Sequence, residues 1–225
     1  MLPELIPVMD LMGGCVVHAK RGDRQAYQPL QSSRVAGCAP DAVADALIAL
    51  TSARRLYIAD LDAIRGQASH AAVVGELARR HPEVEIWLDA GFVDAEAALA
   101  VCLASGVRPV LGSESLTDPA AFRLLAEAGL PAVLSLDHRN GQFMGAAWLQ
   151  DPAVWPERVI AMELARVGSG EGPALDLMRR LSASRPDVQW VAAGGVRGAD
   201  DLAVLAREGV AAVLVASALH DGRLP

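Results

Sequence analysis

The chain has 225 residues, 52% of them hydrophobic, and a formal net charge of −7. That length and apolar content suffice for one α/β barrel or for one to two smaller domains, and a single barrel is the tighter fit. The acidic balance, with no Lys/Arg block, argues against charge-driven binding to nucleic acid or to an anionic membrane and leaves a small molecule as the expected ligand.

Eight short runs rich in Val, Ile, Leu and Ala recur at residues 5–9, 56–60, 84–88, 109–112, 132–136, 158–162, 188–192 and 211–216. They are apolar without strict alternation, the pattern of parallel strands covered by helices outside and filled by side chains within. The first connection, Gly13 to Pro40, is irregular and long enough to need a functional explanation. It ends at Pro40-Asp41, which opens a helix with Val43, Leu47 and Leu50 on one face. Asp94 to Gly106 and Gly198 to Gly209 share a grammar of cap, helix and terminal glycine. Asp118-Pro119 supplies an N-cap and first-turn proline to a helix that Gly129 stops. Strand alternating with helix implies right-handed βαβ units and, with eight strands, a (β/α)8 TIM barrel. Two connections are thin. Residues 151–156 leave room for only a turn of helix after strand five, and residues 218–225 form a truncated closing helix after strand eight. The flank left bare is expected to meet a partner subunit in a homo-oligomer, or the long first loop.

Cys15, Cys38 and Cys102 are odd in number and lack Cys-x-x-Cys spacing, so they read as reduced thiols, with no disulfide framework and no metal site. No basic leader precedes an apolar core, and no apolar run reaches the roughly 18 residues that span a bilayer, so a cytoplasmic protein is expected.

The chain also resembles itself. Leu56-Tyr-Ile-Ala-Asp60-Leu61 aligns with Val159-Ile-Ala-Met-Glu163-Leu164 at an offset of 103. The run from Val84 to Phe92 aligns with Val188 to Val196 at 104, and Gly112-Ser113 with Ala216-Ser217 at the same offset. Such blocks in one order suggest two half-barrels, about residues 1–118 and 119–225, in a single domain.

Reactive groups of a parallel barrel gather at the C-terminal strand ends. Asp10, Asp60, Asp89, Asp137 and Glu163 follow strands one, two, three, five and six. Asp10 and Asp137 lie on strands that face each other across an eight-strand ring and are the acid/base candidates, since crowded acids favour one protonated and one ionised partner. Asp60, Asp62 and Glu163 serve equally well as helix caps or as partners of Arg65 and Arg166. Gly194-Gly195 with Ala216-Ser217 would form one phosphate grip, and Gly91 with Gly112-Ser113 a second across the mouth, implying a substrate phosphorylated at both ends. Arg139 and Arg166 each follow a strand-end acid and could hold a phosphate in bidentate fashion. Lys20 and Arg24 add positive charge on the first loop.

The motifs Ile6-Pro-Val-Met-Asp10-Leu11, Tyr57-Ile-Ala-Asp60-Leu61, Gly112-Ser113, Leu136-Asp137, Gly194-Gly195-Val196 and Val215-Ala216-Ser217-Ala218-Leu219 resemble the HisA/HisF group of histidine biosynthesis, over about residues 5–222. The resemblance implies a cofactor-free Amadori isomerase that turns an aminoaldose into an aminoketose. In it Asp10 is the base at C2, Asp137 the acid that opens the ribose ring, and Trp148 belongs to a loop closing over the substrate. Three departures stand out. Asp89-Ala90-Gly91 puts a carboxylate where the isomerase has a glycine turn, Met162-Glu163 replaces a Thr-Asp pair, and Ala216 replaces a phosphate-loop glycine. With His18 to Leu30, Leu88-Asp-Ala-Gly91, Arg166-Val-Gly168-Ser-Gly170 and Ala216 to His220, they are similar to a divergent branch from methanogens and methylotrophs. That branch is implied to serve one-carbon metabolism through tetrahydromethanopterin-type cofactor synthesis. The leading expectation is therefore a phosphoribosyl or sugar-phosphate isomerase. A true histidine-pathway isomerase, a HisF-like cyclase or lyase with an amine donor, and a non-catalytic scaffold that binds a phosphorylated ligand remain open beside it.

Overall fold

The computed structural model describes residues 1–21 and 23–224, apart from the side chain of Arg24. Among these residues eight parallel strands follow one another round a closed sheet: β1 (Glu4–Met12), β2 (Arg55–Asp60), β3 (Glu85–Asp89), β4 (Arg108–Gly112), β5 (Val133–Arg139), β6 (Arg158–Glu163), β7 (Gln189–Ala193) and β8 (Ala212–Val215). Pairing of Glu4 to Pro7 with Ala212 to Val215 joins β8 to β1 and completes the barrel. Closure leaves no strand edge to satisfy, and the fold is the expected (β/α)8 barrel.

Helices α1 (Pro40–Thr51), α2 (Ala71–Arg80), α3 (Ala95–Ser105), α4 (Ala121–Glu127), α5 (Leu175–Ser184) and α6 (Ala199–Arg207) cover the outside. Local chemistry sets their ends. The Asp94 carboxylate accepts from Ala97 N at 2.8 Å to start α3, and Gly106 at φ +70° stops it in the left-handed conformation that a Cβ disfavours. The helix expected from Asp118-Pro119 begins later, at Ala121, because Asp118 accepts from Ala120 N and closes a separate turn first.

The two thin connections are as short as the sequence requires. After β5 come only the 3-10 turns Ala147–Gln150 and Pro152–Val154, and after β8 only the helical turn Ser217–His220. In place of a helix, Trp155 is buried against Trp190, their rings 5.5 Å apart edge to face, and its indole N–H donates to Leu149 O at 2.7 Å. The closing turn is held by the first loop, where Ser33 donates through both N–H and hydroxyl to His220 O. The first loop is thus tied to the closing turn.

Strands β1 and β5 each carry an antiparallel addition. Cys15–His18 folds back on β1 and pairs in turn with Gln28–Pro29, while Gln142–Phe143 folds back on β5. These additions raise the chain above the C-terminal mouth just beyond Asp10 and Asp137. The first hairpin also brings Cys15 and Cys38 together, sulfurs 2.7 Å apart, a proximity their spacing of 23 residues did not suggest.

Two apolar layers hold the barrel. Strands pack outward on the helices through residues such as Leu56, Leu88, Leu111, Leu134 and Val213, and inward through Ile6, Tyr57, Trp87, Val110, Ile160 and Leu214. Trp87 is 1% exposed and fills the N-terminal half of the interior, so the space left inside opens at the other end. Beside it, Glu85 accepts from Trp87 Nε1 at 3.0 Å, Arg55 Nε at 3.0 Å and Arg108 Nε at 2.6 Å. Among the described residues no helix is long and apolar enough to cross a membrane.

Candidate active site

A cleft lies at the C-terminal ends of the strands and is lined by Asp10 of β1, Tyr57 of β2, Asp89 of β3, Gly112 of β4, Asp137 and Arg139 of β5 and Met162 of β6, and by the loops after β7 and β8. Its position follows from the fold, since parallel strands direct all their βα-loops to one face.

Asp137 is 8% exposed, and its carboxylate is held by two buried serines: Ser135 Oγ donates to Oδ1 at 2.7 Å, and Ser113 Oγ lies 3.2 Å from Oδ2. Burial, with the charges of Asp89 and Glu114, pushes its pKa up to about 7 against the stabilising serine bonds. Ser113 has one hydroxyl hydrogen, and the Met144 carbonyl stands closer, at 2.6 Å. Ser113 Oγ also accepts from the Asp137 N–H at 2.9 Å, so one hydroxyl ties the backbone and carboxylate of Asp137 to the Met144 carbonyl.

Asp10 sits where β1 turns into its hairpin, in register with Val17 on one side and Ala59 on the other, and lines the same cleft. Between the carboxylates stands Tyr57, 4% exposed, whose hydroxyl donates to Asp89 Oδ2 at 3.2 Å. Burial, then the charges of Asp89, Asp137 and Asp10, raise its pKa well above the ordinary phenol value and keep it protonated. Sequence reading passed over Tyr57 because an aromatic inside a strand looks like core; its place beside Asp60 in the repeat block was the available signal.

The cleft's far side is the β7–β8 end. Gly194, Gly195, Ala216 and Ser217 line it as expected, and His18 Nε2 lies 3.1 Å from Ser217 Oγ. Close approach explains both glycines independently of any ligand: a Cβ on Gly195 would stand 2.2 Å from Gly172 O, and one on Gly194 2.8 Å from Glu163 O. Arg223, which the sequence did not single out, brings its side chain to this end, braced on Asp221 at 2.6 Å.

Several expected contacts lie elsewhere. Asp60 is fully buried and accepts from Ala63 N, Ser69 Oγ, His70 N and, at 2.8 Å, His70 Nδ1. Asp62 accepts from Gly13 N at 2.7 Å rather than pairing with Arg65. Glu163 holds the turn after β5, accepting from Asn140 N and Gly141 N at 2.9 Å each, and Arg166 donates to Gly172 O at 2.9 Å, so neither faces the cleft and they do not pair. Trp148 packs partly buried on the outer core, and Lys20 is exposed; neither lines the cleft. The Arg24 side chain lies outside the described residues. The first loop nonetheless reaches over the mouth through Arg21 N, which donates to Val167 O at 2.7 Å. Among the described residues no group of three or more His, Cys, Asp or Glu side chains is arranged to hold a metal ion.

A closed parallel barrel with a buried carboxyl group of raised pKa at its C-terminal mouth defines an enzyme-like TIM barrel. The sequence model of the "Histidine biosynthesis protein" family matches residues 4–225, and the chain belongs to that family, the HisA/HisF group. It is 31% identical to "Phosphoribosyl isomerase A" of Streptomyces griseus, over 96% of this chain and 92% of the relative. It is equally similar, at 31%, to an uncharacterized protein of Methanocaldococcus jannaschii, over 98% and 95%. A third relative, from Thermomicrobium roseum, is 31% identical over 98% and 93% and is named as an imidazole-4-carboxamide isomerase whose full chemical name carries two phosphoribosyl groups.

Proposed function

We propose that this protein is a phosphoribosyl or sugar-phosphate isomerase that interconverts an aldose-type and a ketose-type sugar by acid/base catalysis between Asp137 and Asp10. The observation that carries the reading is Asp137, buried in the cleft with its pKa pushed up to about 7. A carboxyl group protonated near neutrality can give its proton to a ribose ring oxygen and open the ring, and Asp10, on the opposite side of the barrel, then removes the proton at C2. The β7–β8 end, with Ser217 and Arg223, anchors the phosphate and fixes the sugar between the two acids. The names of the bacterial relatives support the reaction type.

The pathway reading we favour is one-carbon metabolism, in the synthesis of a tetrahydromethanopterin-type cofactor. Its support is the resemblance of the segments around Asp89, Met162 and Ala216 to the divergent methanogen and methylotroph branch; the Methanocaldococcus relative, 31% identical, is itself uncharacterized. Two experiments test these readings. Purified protein incubated with phosphoribosyl aminoaldoses should yield the aminoketose, and no conversion of any sugar phosphate would reject the reaction type. Expression in a histidine auxotroph lacking the isomerase should fail to restore growth; full rescue would place the protein in histidine synthesis instead.

A further inference from the structure

The first loop closes on itself through two sulfurs. Cys15 opens the strand Cys15–His18 that folds back on β1, and Cys38 stands two residues before α1. The backbone fixes both: Val16 N donates to Cys38 O at 2.8 Å, and Leu30 N donates to Val16 O at 2.9 Å. On that frame the Cys38 thiol donates to Cys15 Sγ, with the sulfurs 2.7 Å apart and both residues partly exposed. Two sulfurs in contact, on segments that one hydrogen-bonded frame already holds together, can be joined with little backbone movement. Cys102 is the contrast. It is fully buried, burial pushes its thiol up to about 12, and it stays an inert part of the core.

We infer that Cys15 and Cys38 form a thiol–disulfide exchange site, at which a small disulfide of the glutathione type is reduced and an intrachain disulfide fastens the first loop. The order of steps follows from the hydrogen bond. Cys15 Sγ is the acceptor and so the sulfur that ionises first, while the bond to Cys15, then burial and the Cys15 charge, raise the Cys38 pKa. The Cys15 thiolate attacks one sulfur of the small disulfide, forms a mixed disulfide and expels a small thiolate. Cys38 then loses its proton to solvent and attacks Cys15 Sγ; the Cys15–Cys38 bond forms, the mixed bond breaks and a second small thiolate leaves. Two protein thiols are oxidised to one disulfide, and one small disulfide is reduced to two small thiols that take up the two protons. The ring so closed contains Arg21, whose N–H reaches Val167 O, and Ser33, which holds His220 O, so it constrains the segment that reaches over the mouth.

The test starts from the reduced full chain, incubated with excess oxidised glutathione at about pH 8, near the ordinary thiol pKa. Remaining thiols are alkylated after unfolding, and the digest is read by mass spectrometry. The peptides of Cys15 and Cys38 should be joined, Cys102 alkylated and no glutathione retained. The melting temperature should rise by about 5 °C, because the ring limits the unfolded chain, and should return to its starting value with dithiothreitol. Cys38→Ser should stop at the glutathione adduct on Cys15, and neither Cys38→Ser nor Cys15→Ser should show the rise. The parent protein carries the test alone if a variant does not fold. Glutathione held on both cysteines of the parent, bonds between chains, or Cys15 and Cys38 recovered alkylated would overturn the exchange site. A joined pair with an unmoved melting temperature would overturn the fastening of the loop. None of these outcomes touches turnover, so the isomerase reading stands or falls separately.

Discussion

Strand β3 begins with Glu85 and ends with Asp89, and the two ends of the barrel treat carboxylates in opposite ways. At the N-terminal face Glu85 meets Arg55, Arg108 and Trp87, and although burial raises its pKa, those hydrogen bonds and charges pull it below the ordinary value. At the C-terminal face Asp137 has serine hydroxyls for partners and acids for neighbours, and its pKa moves up to about 7. The first arrangement neutralises charge and holds strands together; the second keeps a proton available. The partners each acid meets, cations and N–H donors for Glu85 and hydroxyls and other acids for Asp137, set the direction of its pKa.

The largest effect that sharpens this contrast is on turnover. Asp137→Asn and Asp10→Asn should each lower kcat by roughly 10²- to 10⁴-fold, the usual worth of a general acid or base, with the fold retained by circular dichroism. Unchanged turnover in either would dissolve the distinction between the two faces.

Asp137 also ties stability to pH. Its folded-state pKa near 7 stands above the ordinary 3.8, so between those values the folded chain holds a proton that the unfolded chain has released. Stability is fully supported below about pH 4, declines as pH rises, and above about pH 7 carries the whole penalty, up to about 4 kcal/mol. Urea midpoints measured from pH 5 to 8 should fall in the parent protein and stay flatter in Asp137→Asn. Parallel curves would show that Asp137 titrates normally.

A smaller effect belongs at the other face. Glu85→Gln leaves Arg55 and Arg108 without their shared carboxylate at a site about one-third exposed, and should cost about 2 kcal/mol of unfolding free energy. Turnover per folded molecule should stay within about twofold, measured below the new melting temperature.

Much of this was legible in the sequence, for physical reasons. Each of the eight strands fell within a residue or a few of its apolar run because parallel strands are apolar on both faces, and Gly106 and Gly209 marked helix ends because left-handed turns select glycine. The position of Asp10 and Asp137 at the mouth followed from topology alone. Side-chain direction was not legible. Asp60 and Asp137 both stand near the end of a barrel strand, yet one turns toward His70 and the other toward the cleft, because strand alternation reverses with each residue. Nor could spacing reveal that Gly91 N would donate to Asp89 and Ser113 N to the Ser135 carbonyl.

Asp60 supplies the finest probe of that difference. It has strand-end acid character in sequence, full burial in structure, and hydrogen bonds from Ala63, Ser69 and both the backbone and ring of His70. Burial alone would raise its pKa, but these bonds outweigh it and lower the value. Asp60→Asn keeps the volume, removes the charge that gathers those donors, and turns one acceptor into a donor facing N–H groups. A loss of about 1–2 kcal/mol in unfolding free energy is expected, with kcat within about twofold of the parent. A fall in kcat of a hundredfold at unchanged stability would move Asp60 from the frame of the barrel to its chemistry and place a third acid in the mechanism.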